Sequence, residues 1–136
     1  MTLPFHPEPG RLVVCDYRGF QAPEMTKTRL AIVISPKLKR RDGLATVVPL
    51  SATYPDPLCE WHLPLLIDVP DPWGHVDRWA KCDMVNTVAY DRLNLPYSRH
   101  PVTGARVRFQ LVVEPPAVEA LRRCVAAALG ITPLLK

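Results

Sequence analysis

The stretch EMTKTRLAIVISP, Glu24 to Pro36, mounts Lys27, Thr28 and Arg29 at the mouth of an apolar run, Leu30 to Ile34. A guanidinium held there can give two directed hydrogen bonds to a phosphate, a geometry that lysine cannot reproduce. Glu24 is a candidate base, and its plainer reading is a surface charge pair with Lys27 or Arg29. Ser51, which closes VVPLS, can give and accept a hydrogen bond, enough to orient a phosphate oxygen or relay a proton. Its plainer reading is a turn serine. Lys81 and Asp83 flank Cys82, so on a strand they share one face and can pair with each other. PKLKRRDG gathers Lys37, Lys39, Arg40 and Arg41 in one predicted loop, where the ordinary outcome is a solvated charge run; beside a nucleic-acid groove it contacts phosphates. Trp61 with His62, or Trp73, can stack on unpaired bases, although tryptophans more often serve packing.

The elements that must position these groups are short. Runs rich in Val and Ile, separated by Pro, Gly and Asp, predict strands at RLVVCDY (11–17), RLAIVIS (29–35), ATVVPL (45–50), HLPLLI (62–67), WAKCDMV (79–85) and RVRFQLVV (106–113). In RLAIVIS both alternating sets are apolar, which predicts a central strand covered on both faces. Val118, Leu121, Val125 and Leu129 recur at helical spacing, with Pro116 acceptable in a first turn and Gly130 a natural stop. TVAYDRL can hold one further helical turn with Asp91 as its N-cap. Five prolines between Ser51 and Asp77, with a DPWG turn signal, predict a long structured loop. Several short strands and one late helix predict a mainly β domain, a small bent antiparallel sheet or partly open barrel closed by a C-terminal helix.

A chain of 136 residues is expected to form one domain over 1–136. Its 17 basic against 13 acidic residues, net +4, favour a polyanionic partner without requiring one. Cys15, Cys59, Cys82 and Cys124 are far apart with no C-x-x-C pair, which argues against a zinc knuckle or redox motif and for reduced thiols in a cytosol. The N-terminus MTLPFHPEPG lacks the pattern of an export signal, and no apolar stretch is long enough to span a bilayer, so a cytoplasmic protein without a membrane partner is expected.

Taken in order, PGRLVVCDY, KTRLAIVISP, ATVVPLSAT and KCDMVNTVAYDRL resemble the MazF/PemK family of toxins from bacterial toxin–antitoxin pairs, over roughly residues 8 to 130. The resemblance implies an SH3-like barrel, a homodimer with a single-stranded RNA groove, a cognate antitoxin that fills that groove, and RNA cleavage by the ribose 2′-hydroxyl without a metal or other cofactor. It assigns the family's arginine to Arg29, its glutamate to Glu24, its hydroxyl residue to Ser51, and the basic residue and aspartate of the PemK branch to Lys81 and Asp83. Lys27, Thr28, Lys37, Trp61 and His62 would then contact substrate. Four positions depart from the pattern: Leu30 replaces a proline, Arg11 an acidic residue, Ser51 a threonine, and Pro23 the histidine before the glutamate.

Such chemistry needs an in-line hydroxyl, a proton acceptor, a proton for the leaving oxygen and positive charge on the phosphoryl oxygens. Two other readings are open to the same sequence. One is a toxin of the same fold that poisons DNA gyrase; that branch ends its helix with Trp-Gly-Ile, whereas this chain reads LGITPLLK. The other is a binding module that retains the barrel and basic groove without turnover.

Overall fold

In the computed structural model, residues 3–69, 73, 78–108 and 110–131 are described. Strand β1 covers Leu12–Asp16, β2 Thr28–Val33, β3 Leu44–Ser51, β4 His62–Leu65 and β5 Arg78–Lys81. Three short strands follow, β6 at Asn86–Ala89, β7 at Leu93–Asn94 and β8 at Tyr97–Arg99, then β9 at Arg106–Arg108 and the helix α1 at Pro115–Ala128. The strand pairings among the described residues are antiparallel, in the order β4-β5-β3-β2-β1-β7, with β6 on β3 and a separate β8–β9 hairpin.

β2 lies between β1 and β3 and is buried on both faces, as its two apolar alternations require. Ala31 and Val33 join a core with Val13, Cys15, Tyr17, Val47 and Val88. Leu30, Ile32 and Ile34 join a second core with Leu12, Val48, Leu50, Ala80 and Leu121. β3 is the pivot: it pairs with β6 through Val47, then with β5 from Leu50. Pro49, which has no N–H to give, sits at that changeover, where a ladder bond is least missed.

α1 covers the second core through Leu121, and Arg122 donates twice to the Ile34 carbonyl, at 3.0 and 2.9 Å, tying the helix to the end of β2. Its two prolines stand at N1 and N2, and Gly130 takes a positive φ of 79° beyond the last turn. Gly10 has φ 93°, and a Cβ there would lie 2.8 Å from the Val113 carbonyl oxygen, so the chain crossing beside β1 admits no side chain.

Several expectations need correction. WAKCDMV is a strand only to Lys81; Cys82–Met84 form a 3-10 turn, which packs against α1. TVAYDRL gives β6, a 3-10 turn at Tyr90–Arg92 and β7, and the turn's N-cap is Ala89 rather than Asp91. RVRFQLVV is not one strand: Arg106–Arg108 pair with β8, and Val112 makes an isolated bridge to Arg11. Leu129 follows α1 as its C-cap and is 65% exposed, so it does not continue the helix's buried stripe. The DPWG turn, apart from Trp73, and residues 132–136 of LGITPLLK lie outside the described residues.

Candidate active site

Arg29 is the second residue of β2 and shares a face with Ala31 and Val33, members of the first core. Its side chain continues that core outward, and its Nε is buried without a hydrogen-bond partner. Among the described residues the guanidinium makes no ion pair. A buried donor left unmade costs about 1–3 kcal/mol, so this arginine is a local expense that the surrounding strands sustain.

Ser51 shares the face of Val47 on β3, which is again the face of the first core. The β2–β3 ladder ends at Ala31↔Pro49, and Arg29 and Ser51 each lie two residues past that pair on its face. Ser51 is 5% exposed, and its Oγ accepts the Thr53 N–H at 3.1 Å. The turn role is therefore present, and the hydroxyl proton remains free to be donated.

Across the ladder, Ser51 pairs with Trp79, and Lys81 with His62, on the same face. His62 Nδ1 accepts the Cys59 N–H at 2.9 Å, which places the neutral ring's proton on Nε2. Trp61 faces the other way and packs on the second core, so it does not share the face of Arg29. In its place stands an aromatic pair: the Trp79 and Tyr54 rings meet edge to face at 5.1 Å, with Tyr54 64% exposed. Nothing local in the sequence marks Trp79; only the pairing of β5 with β3 brings it beside Ser51.

Glu24 and Asp83 line one open cleft of about 450 Å³, together with Tyr17, Pro23, Met25, Met84, Val85 and Asn86. Glu24 forms no ion pair with Lys27 or Arg29; its carboxylate accepts the Gln21 N–H at 3.3 Å, within its own turn. Lys81 and Asp83 are separated by the start of the 3-10 turn and do not pair, which corrects the expectation of a shared strand face. Pro23 stands on the cleft wall where a histidine would have offered an imidazole. Tyr17, which lines the cleft, carries a buried hydroxyl beside the Cys15 thiol, and burial pushes its ionisation well above the usual phenol range. Asn86, the first residue of β6, and Tyr17, just past the end of β1, are not legible as site residues in the sequence, because only the fold brings them to one cleft.

Lys27 and Thr28 are exposed at the entrance to β2. Lys37 is exposed beyond the other end of that strand, in a tight loop where Leu38 bridges Arg41 and Arg40 adopts φ 62°. At about 3.3 Å per residue, roughly 25 Å of chain separates it from Arg29. Among the described residues no three His, Cys, Asp or Glu side chains converge to hold a metal ion, and no helix is long and apolar enough to cross a membrane.

Comparison with known proteins adds three findings. The family described as PemK-like, MazF-like toxin of type II toxin-antitoxin system matches residues 8–129. The protein YifN of Escherichia coli (strain K12) is 30% identical over 115 residues, spanning 69% of this chain and 76% of YifN. Two solved toxin structures share the fold. MazF-mt6 of Mycobacterium tuberculosis has a TM-score of 0.57 at 14% identity, covering 91% of this chain and 98% of its own. MazF of Deinococcus radiodurans has a TM-score of 0.64 at 16% identity, covering 93% and 98%. With the family's pattern matched over nearly the whole chain and its fold reproduced, this protein belongs to the PemK-like, MazF-like toxins of type II toxin–antitoxin systems.

Proposed function

We propose that the protein is an endoribonuclease that cleaves single-stranded RNA by attack of a ribose 2′-hydroxyl on the adjacent phosphate. The observation that carries this reading is Arg29: a strand-held guanidinium, half-buried, with its Nε unpartnered and no counter-ion among the described residues, on the face it shares with Ser51. Such a group is ready to receive an anion and gains little by remaining empty.

In the reaction, the 2′-oxygen bonds to phosphorus while the bond to the 5′-oxygen breaks, leaving a 2′,3′-cyclic phosphate and a 5′-hydroxyl. Arg29 bears the charge that builds on the phosphoryl oxygens, and Ser51 donates to one of them. Glu24 and Asp83 line the cleft, whose walls do not include Arg29 or Ser51, and in this reading an RNA strand lying across both surfaces gives the 2′-hydroxyl proton to one of these carboxylates. Lys81, beside His62 in the ladder, is a second cation on the face of Ser51 and can supply the proton to the leaving oxygen. Trp79 and Tyr54 offer flat surfaces to bases flanking the cut. The substrate's own hydroxyl is the nucleophile, so no activated water is required.

A homodimer, a cognate antitoxin that competes with RNA for this surface, and action in the cytoplasm belong to the same proposal. All three are supported by family membership, and the antitoxin also by the net charge of +4. Purified protein incubated with a long RNA in excess EDTA, beside an Arg29→Ala control, tests it. We expect cleavage by the wild type alone, cyclic phosphate ends, and no cut where the target ribose is replaced by deoxyribose. Intact RNA in both samples would remove the nuclease reading, and 5′-phosphate products would require a different nucleophile.

A further inference from the structure

Between Asp91 and Glu114 the chain contains no acidic residue but four arginines, Arg92, Arg99, Arg106 and Arg108. The β8–β9 hairpin concentrates three of them. Its register sets Tyr97 opposite Arg108, Ser98 opposite Val107 and Arg99 opposite Arg106, so Tyr97, Arg99, Arg106 and Arg108 share one face of the ribbon. Directly paired residues on such a ribbon have Cβ atoms roughly 5 Å apart, inside the Debye length of about 8 Å at physiological salt. Arg99 and Arg106 therefore repel each other, and the hairpin carries no carboxylate of its own to offset this.

The guanidiniums are nonetheless held in place, by neutral partners. Arg99 donates to the Gly104 carbonyl at 3.0 Å and Arg108 to Asn94 Oδ1 at 2.7 Å, while Arg106 lies 4.7 Å from the centre of the Tyr97 ring. Among the described residues none of the three forms an ion pair, and all three are exposed. Each side chain is thus oriented while its charge stays fully available. The hairpin is rooted where Leu111 meets Leu12, the opposite end of β1 from Tyr17 and the cleft.

We propose that this face of the hairpin is a second RNA-binding surface, gripping the sugar–phosphate backbone of single-stranded RNA outside the segment held in the cleft. It rests on the reading that the substrate is RNA. A guanidinium already stacked on a tyrosine presents its outer plane to an unpaired base, and its flanking arginines present forks to the phosphates on either side. An acidic protein segment would use the charge but not the stacked plane, which favours nucleic acid.

The test measures binding in an Arg29→Ala background, so that turnover plays no part. Fluorescence anisotropy with a labelled 30-nucleotide single-stranded RNA is followed across a KCl series. The triple substitution Arg99→Gln, Arg106→Gln, Arg108→Gln is expected to weaken binding about tenfold near 0.15 M salt and to flatten the log K against log salt slope by about 2, at roughly 0.7 for each phosphate no longer neutralised. The matching triple lysine variant keeps the charge and is expected to keep the slope, which separates loss of charge from damage to the hairpin. Equal affinity and slope for wild type and the glutamine variant would overturn the proposal. So would a glutamine variant that binds RNA normally but loses binding to a labelled oligoglutamate peptide. If the parent protein leaves RNA uncut while hairpin-dependent binding persists, the nuclease reading fails and this one stands.

Discussion

Replacing Arg29 by methionine should make the protein more stable and nearly inactive. Methionine preserves an unbranched apolar stem against the first core but removes the buried, unpartnered Nε and a charge with no counter-ion among the described residues. An unmade buried donor costs about 1–3 kcal/mol, and part of that gain is lost to imperfect packing of the thioether, leaving a net stabilisation of about 1 kcal/mol. For a chain of this size that corresponds to a rise in Tm of roughly 3–5 °C. Loss of the charge-stabilising donor should lower the cleavage rate by about 10²–10³, or roughly 3–4 kcal/mol of transition-state stabilisation. Urea and thermal unfolding read the first effect; single-turnover cleavage of a short synthetic RNA reads the second. Arg29→Lys serves as the intermediate case, since it retains charge but loses the fork. A methionine variant that is destabilised by more than about 1 kcal/mol and still cleaves within a fewfold of wild type would refute the reasoning. Arg29 would then be a structural residue whose guanidinium plays no part in the chemistry.

Three further outcomes are expected. Gly10→Ala should cost at least about 2 kcal/mol in denaturant unfolding, because it combines a left-handed φ with a Cβ 2.8 Å from a backbone oxygen that cannot move aside; a neutral change would contradict the crossing described there. Trp79→Ala should weaken RNA binding by about 1–3 kcal/mol in an anisotropy titration, and unchanged affinity would exclude the Trp79–Tyr54 pair as a base platform. Burial pushes the Cys15 thiol from 9.0 up to about 11, a folded-state value above the unfolded one. Its contribution to stability is therefore complete below pH 9 and disappears as pH rises toward 11. Unfolding across that window should show stability falling with pH, with a shallower fall in Cys15→Ala; equal slopes in the two proteins would count against it.

Local composition and alternation determined a good deal by themselves. The two-sided apolar pattern of Leu30 to Ile34 announces a strand buried on both faces, because side-chain period and burial are encoded residue by residue. The helix announces itself through the prolines that open it and the glycine beyond it, and Arg29 is legible as the last polar residue before the apolar run of its strand. Tertiary structure alone decided the rest. Asn86–Ala89 and Leu93–Asn94 are too short to carry a period of their own and become strands by pairing with partners far along the chain, while Tyr97–Arg99 becomes one by pairing with Arg106–Arg108 in a local hairpin. Lys81 and Asp83 alternate in sequence yet part company, because the strand ends between them in a turn packed against α1. Trp79 reaches Ser51, and Arg99 faces Arg106, only through antiparallel register. Register is a property of two segments at once, set by which faces both must bury, and one segment read alone cannot specify it.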